Sequence, residues 1–238
     1  MSVPTLELHV EPAARFAAAA AEWIAAALES DLRGSGHCAI ALSGGGTPRP
    51  VYECLAGNPR ASRIRWSDVD VFFGDERAVP PHDPDSNYGM AVAAFLGRDP
   101  VSASRVHRLE AERPDRDAAA REYAAALPDR LDILILGMGA DGHTASLFPG
   151  SPACAERVRR VVPVTGPKPP VDRLTITPPV IAAARRIVVL VAGEGKAATL
   201  ARALEGPLEP RDLPIQLARG GVWFVDHAAA GRLRSTVP

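Results

Sequence analysis

The sequence has no excess of charge of either sign, few cysteines and no apolar run long enough to concern a membrane. Its 27 Lys and Arg face 28 Asp and Glu, a formal net charge of −1. No global basic field therefore draws in nucleic acid or an anionic lipid surface, and an anionic ligand must be held by a local cluster of charges and dipoles. The three cysteines, Cys38, Cys54 and Cys154, are odd in number, far apart and in no C-x-x-C pair, which suits a reducing compartment better than an oxidising one. The Ala-rich stretch from Phe16 to Leu28 is interrupted by Glu22 and has no basic cluster before it, only Arg15. It falls far short of the roughly 20 apolar residues of a membrane span and does not read as a secretion signal. The expectation is a soluble, cytoplasmic chain with no nucleic-acid or membrane partner.

Several catalytic signatures are missing too. The Ser43–Pro48 segment is neither a Walker loop nor the pattern G-x-G-x-x-G, so it does not indicate ATP or NAD. The elbow G-x-S-x-G of a serine hydrolase fails at Ser43, because Ala41 stands in place of the first glycine. The six histidines lack H-E-x-x-H or similar ligand spacing, so no metal site is expected.

What the chain does have is regular alternation. Apolar runs at Leu6–Val10, His37–Leu42, Val69–Phe73, Leu131–Leu136, Arg186–Ala192 and Val222–Val225 read as strands. Several are continuous rather than alternating in polarity, as when both faces of a parallel sheet are covered. Between them lie candidate helices at about Pro12–Arg33, Pro48–Ala56, Tyr88–Leu96, Arg116–Leu127, Pro178–Ala184 and Lys196–Leu204, with Gly34 placed to end the first. The Pro-rich stretches 78–84 and 163–170 read as long surface loops. The pattern predicts a single α/β domain over 1–238 with a mostly parallel sheet flanked by helices, and ligands beyond the strand carboxyl ends.

Four strand ends carry unusual residues. Ser43-Gly44-Gly45-Gly46-Thr47 lies between a strand and a helix, where exposed N–H groups and a helix N-terminus can cradle phosphate; a glycine-rich surface turn is the plainer reading. Gly74-Asp75-Glu76-Arg77 offers an arginine able to grip phosphate oxygens in two-pronged fashion, although such runs are more often solvated loops. Ser86 is placed as the N-cap of the next helix. In Gly137-Met138-Gly139-Ala140-Asp141-Gly142-His143-Thr144, His143 follows a buried-looking strand, and a helix N-terminus there would keep the imidazole neutral, as a general base requires. Asp141 is placed to orient the ring or hold a substrate hydroxyl. Lys196, in Gly193-Glu194-Gly195-Lys196, stands near a helix start with its ammonium available to an anion, or simply exposed to solvent.

At these residues the sequence resembles the 6-phosphogluconolactonase family, within the glucosamine-6-phosphate isomerase-like superfamily. The strings are SGGGTP at 43–48, FFGDERAVP at 72–80, DSNY at 85–88, GMGADGHTASLFPG at 137–150, RLTITPPVI at 173–181 and VAGEGKA at 191–197. The continuation of DGH as TASLFPG is the specific element, since related deaminases share DGH and then diverge. The resemblance implies a Rossmann-like fold and hydrolysis of 6-phospho-D-glucono-1,5-lactone in the oxidative pentose phosphate pathway, by a monomer without organic cofactor. It implies His143 as catalytic base with Asp141 as orienting residue. Ser43, Gly44, Gly45, Gly46, Thr47, Arg77 and Lys196 become phosphate or substrate ligands, and Arg173 a further binding residue on a substrate-side loop. A phosphosugar isomerase or deaminase and a non-catalytic sugar-phosphate sensor are the competing readings.

Overall fold

The computed structural model describes residues 6–98 and 105–234. Its strands are β1 (Glu7–Glu11), β2 (Cys38–Leu42), β3 (Val69–Phe73), β4 (Asp75–Arg77), β5 (Ile133–Gly137), β6 (Val161–Thr165), β7 (Asp172–Ile176), β8 (Arg186–Val191) and β9 (Val222–Asp226). Its α-helices are α1 (Ala13–Ser35), α2 (Pro48–Gly57), α3 (Asn87–Ala91), α4 (Arg116–Ala126), α5 (Pro178–Ala183), α6 (Ala197–Glu205) and α7 (His227–Ala230). Six strands make one sheet in the order β1-β9-β8-β5-β2-β3, every neighbouring pair parallel. Successive side chains of a strand point to opposite faces, yet every residue of β2 is buried, and so are the first four of β5. Both faces of the sheet centre are therefore covered, which is why Cys-Ala-Ile-Ala-Leu and Ile-Leu-Ile-Leu show no polar alternation. On α1, Phe16, Ala20, Ile24, Leu28 and Leu32 recur every fourth residue as a buried stripe.

Three expectations need correction. The helix α1 ends not at Gly34 but at Gly36, whose φ of 74° lets its N–H reach the Leu32 carbonyl at 3.0 Å. The helix placed over 88–96 is α-helical only to Ala91 and continues as a π-helical turn over Val92–Leu96. The third is a whole element: β4, β7 and β6 form a small antiparallel sheet in that order. Asp75–Arg77 is thus a strand rather than a loop, and of the expected loop 163–170 the first three residues belong to β6 while 166–170 lie in the hairpin loop that joins it to β7. Pro163 cannot donate to a sheet ladder, and it is tolerated because β6 is an edge strand.

From β2 the chain passes through α2 to β3 on one side, then returns to place β5 on the other side of β2. The strand order reverses between β2 and β5, and loops leaving such a point diverge and open a crevice at the strand carboxyl ends. Two buried tyrosines pin the chain there. The Tyr52 hydroxyl accepts from Ser43 N and donates to Ser43 O, both at 2.9 Å. The Tyr123 hydroxyl accepts from Phe73 N at 2.6 Å and donates to Phe73 O at 3.0 Å.

Replacing Tyr52 with Phe would strand a buried main-chain donor and acceptor at the start of the glycine-rich loop. A loss of about 1–3 kcal/mol is expected, read as a lowered urea midpoint at unchanged slope. An unchanged midpoint would mean that Ser43 finds other partners.

Candidate active site

The cleft at this point, roughly 630 Å³, is lined by the whole 43–48 loop, by Asp75 and Arg77 of β4, by Asn87 of α3, by Gly137–Gly139, His143 and Ala145, by Arg173 of β7 and by Lys196. The ends of β2, β5 and β8 and the small sheet thus meet in one place. The loops after β2 and β5 touch: a Cβ on Gly137 would lie 3.6 Å from Ser43 Oγ. The amides of Gly44, Gly45 and Gly46 find no main-chain acceptor among the described residues. Gly45 has a φ of 99°, a left-handed conformation that glycine adopts without steric cost.

His143 sits in a chain of tight turns, not at the start of a helix as expected. Its ring is instead paired with a carboxylate. His143 Nδ1 lies 2.6 Å from Asp141 Oδ1. An ionised carboxylate only accepts, so the proton of this bond is on Nδ1, and in the neutral ring Nε2 carries the lone pair. Burial pushes the Asp141 carboxyl up, but the charge of His143 when its ring is protonated, with the hydrogen bonds from His143, outweighs burial and holds it below its ordinary value. Gly139 makes the approach possible, since a Cβ there would stand 2.2 Å from His143 Nδ1 and 2.5 Å from Asp141 Oδ1. The turn continues through Ala145 with φ of 48°, costly for a non-glycine residue. It is held by Thr144 Oγ1, which donates to Gly137 O at 2.9 Å, and by Ser146 N, which donates to Thr175 Oγ1 at 3.1 Å.

Three cations line the cleft. Arg77 and Arg173 are cross-strand partners on β4 and β7, a like-charge pairing that destabilises a sheet unless something offsets it. Arg77 Nη1 donates to Asp85 O, whereas its buried Nε has no partner among the described residues. Arg173 is 8% exposed, donates Nε to Pro170 O at 3.0 Å and lies 5.5 Å over the Phe148 ring. Burial and neighbouring Arg77 lower its pKa, while Asp75 opposes them. Lys196 donates to Thr47 Oγ1 at 3.2 Å, and burial pulls its ammonium below the ordinary lysine value against the pull of Asp226. It is the last residue of a 3₁₀ turn over Glu194–Lys196 and directly precedes α6.

The structure brings Ser43, Gly44, Gly45, Gly46, Thr47, Arg77, His143, Arg173 and Lys196 to one wall or another of the cleft, with Asp141 behind His143. Sequence reasoning gave no task to Asp75 and Asn87. Asp75 is the only carboxylate on the lining among the described residues. Its Oδ2 accepts from Ser146 Oγ at 2.6 Å and its Oδ1 from Asn87 Nδ2 at 3.1 Å. Both contacts leave acceptor capacity for a hydroxyl donor. The signal for Asp75 lay in alternation along β4: once Arg77 faces a site, Asp75 must face it too.

A histidine–carboxylate pair sharing a cleft with three cations, at the switch point of a parallel sheet, defines an α/β enzyme that handles a small anionic substrate. The family model described as glucosamine-6-phosphate isomerases/6-phosphogluconolactonase matches residues 11–224. A 6-phosphogluconolactonase of Streptomyces coelicolor is 38% identical over 255 aligned positions, covering 99% of this chain and 97% of the relative. The solved 6-phosphogluconolactonase of Trypanosoma brucei superposes with a TM-score of 0.82 at 28% identity, covering 97% of this chain and 98% of that one. A monomeric glucosamine-6-phosphate deaminase reaches a TM-score of 0.83 at 22% identity, covering 96% and 99%, a likeness of fold alone. The chain belongs to the 6-phosphogluconolactonase family.

Because the His143 pairing depresses the Asp141 pKa, the stability it contributes is present above the ordinary carboxylate pKa of about 3.9. That contribution disappears as pH falls through the depressed value. Replacing His143 with Gln should move the Asp141 carboxyl upward in a ¹³C carboxyl titration. An unmoved Asp141 would show that the pair does not set its charge.

Proposed function

We propose that this chain, as one domain over 1–238, hydrolyses 6-phospho-D-glucono-1,5-lactone to 6-phospho-D-gluconate, the lactone step of the oxidative pentose phosphate pathway. It would do so as a cytoplasmic monomer and with water as nucleophile. The observation that carries this is the free Nε2 of His143, backed by Asp141, in the same cleft as Arg77, Arg173 and Lys196. The name shared by its relatives supplies the substrate. Among the described residues no helix is long and apolar enough to cross a membrane.

In the proposed mechanism the phosphate docks on the 43–47 loop, Arg77 and Lys196, and Arg173 supports the same anion. Docking fixes the lactone relative to His143, and such orientation replaces much of the entropic cost of bringing reactants together. His143 Nε2 takes a proton from water as the oxygen attacks the lactone carbonyl. The imidazolium is stabilised by Asp141, and backbone N–H groups of the glycine-rich loops receive the developing oxyanion. The imidazolium then returns its proton to the departing ring oxygen. Asp75 offers the sugar hydroxyls an acceptor on a wall otherwise rich in donors. The scheme requires no redox step.

Two variant sets test the assignment together. His143→Ala should lower the lactonase rate, corrected for spontaneous opening, by about 10²–10⁴, with product affinity within a few-fold. Arg77→Ala and Lys196→Ala should each weaken the phosphorylated lactone by about 1.5–3 kcal/mol and glucono-1,5-lactone far less. Near-normal turnover in folded His143→Ala would remove the base. Equal weakening of both lactones would move the phosphate elsewhere.

A further inference from the structure

Glu76 is the one member of β4 that does not line the cleft, and the lactonase reading gives it no task. Strand alternation explains its direction: Asp75 and Arg77 share the cleft face, so Glu76 points away from it. There it is 4% exposed, and burial pushes its carboxyl above the ordinary value. A carboxylate is tolerated at such a place only when donors replace its lost water.

Four donors do so. Arg77 N and Asn87 N each reach Glu76 Oε1 at 2.8 Å. Tyr88 N reaches Oε2 at 2.8 Å, and Ser86 Oγ reaches it at 3.1 Å. The donors come from two elements, the strand β4 and the first turn of α3. Each element carries a side chain that lines the cleft, Arg77 on the strand and Asn87 on the helix.

We infer that Glu76 is a positioning residue: its carboxylate locks β4 to α3 and thereby sets the Arg77 guanidinium and the Asn87 amide in the cleft. The remaining contacts of both side chains depend on the same lock. Arg77 Nη1 is held by the carbonyl of Asp85, immediately before the segment 86–88 that Glu76 binds. A slip of that segment along β4 therefore moves the anchor of the guanidinium. Asn87 Nδ2 donates to Asp75 O at 2.8 Å and to Asp75 Oδ1, which fixes the amide orientation and leaves Oδ1 without a partner among the described residues. That oxygen abuts the glycine-rich loop, where a Cβ on Gly44 would lie 1.8 Å from it. A shift of α3 is thus transmitted to the loop on the opposite wall.

The inference rests on Arg77 being a ligand of the substrate phosphate, and the test separates the two claims. Glu76→Gln keeps the side-chain size but turns one acceptor oxygen into an NH₂ group facing N–H donors, so it cannot satisfy both pairs. Steady-state hydrolysis of 6-phosphogluconolactone and of unphosphorylated glucono-1,5-lactone is measured for wild type, Glu76→Gln, Arg77→Ala and the double variant. Cooperative unfolding is checked for each. Glu76→Gln should raise KM for the phosphorylated lactone about 10-fold or more, towards the 10²-fold that misplacement can cost. Its kcat should change little, and kcat/KM for the unphosphorylated lactone should stay within a few-fold. The double variant should lose far less on the phosphorylated lactone than the two single losses combined.

Glu76→Asp, which keeps the charge but withdraws it by one methylene, should show the same selective loss and serves if the Gln variant does not fold. A wild-type KM in folded Glu76→Gln beside an impaired Arg77→Ala overturns the positioning role. Equal loss on both lactones reduces Glu76 to a structural cap and overturns it as well. If Arg77→Ala itself leaves the phosphorylated lactone unaffected, the phosphate reading of Arg77 falls, whatever Glu76 does.

Discussion

Between β2 and β5 the parallel sheet reverses its strand order, and the loops that leave the two carboxyl ends cannot close over each other. Everything at the site follows from that gap. Its floor is the contact of Gly137 with Ser43, its walls are the 43–47 loop and the Asp141–His143 turn, and the small antiparallel sheet brings β4 and β7 to its rim. A parallel sheet buried on both faces is rigid at this edge, and the Tyr52 and Tyr123 hydroxyls fasten the last main-chain groups of adjacent strands. Binding groups carried on such a frame lose little ordering entropy when a ligand arrives.

Electrostatics gives the gap its selectivity. A chain of net charge −1 nevertheless places Arg77 opposite Arg173 and buries much of Lys196 in the same cleft. Such an arrangement opposes folding unless an anion offsets it. The negative groups are kept to separate tasks. Asp141 backs the imidazole, Asp75 is engaged by Ser146 and Asn87, and Glu76 faces away with four donors of its own. The cleft thus keeps three cations and one lining carboxylate, Asp75, beside the imidazole of His143.

How much of this was legible follows from length and polarity. Most strands of the large sheet were readable as continuous apolar runs of five or six residues, whereas β1 alternates Leu8 and Val10 with polar residues, and the shift of β5 to Ile133–Gly137 is within the usual fraying of such boundaries. The glycine-rich ends were readable because their turns use the left-handed backbone that glycine adopts without steric cost, as at Gly45 and Gly142. The small sheet was not: β4 has three residues, all charged, and β6 contains a proline, so both imitate loops. Without that sheet, Asp75 and Asn87 had no reason to stand beside Arg77. The helix expected at His143 was an inference from glycines that in fact serve consecutive turns, with Gly142 at φ 87° packed against Leu213. The pairing with Asp141 took the place of the helix dipole.

The fold alone does not distinguish opening a lactone from moving a proton on an amino-sugar phosphate, because the superposable deaminase shares it. The two chemistries differ in what the base must reach: water beside an existing ester carbonyl, or a carbon-bound proton next to one. Proton NMR in D₂O, with 6-phosphogluconolactone in one sample and glucosamine-6-phosphate in another, separates them most directly. The account predicts lactone opening well above the spontaneous rate, with no deuterium entering sugar C2 and no ammonia released. Enzyme-dependent deuteration at C2 or ammonia release, without accelerated lactone opening, would contradict it.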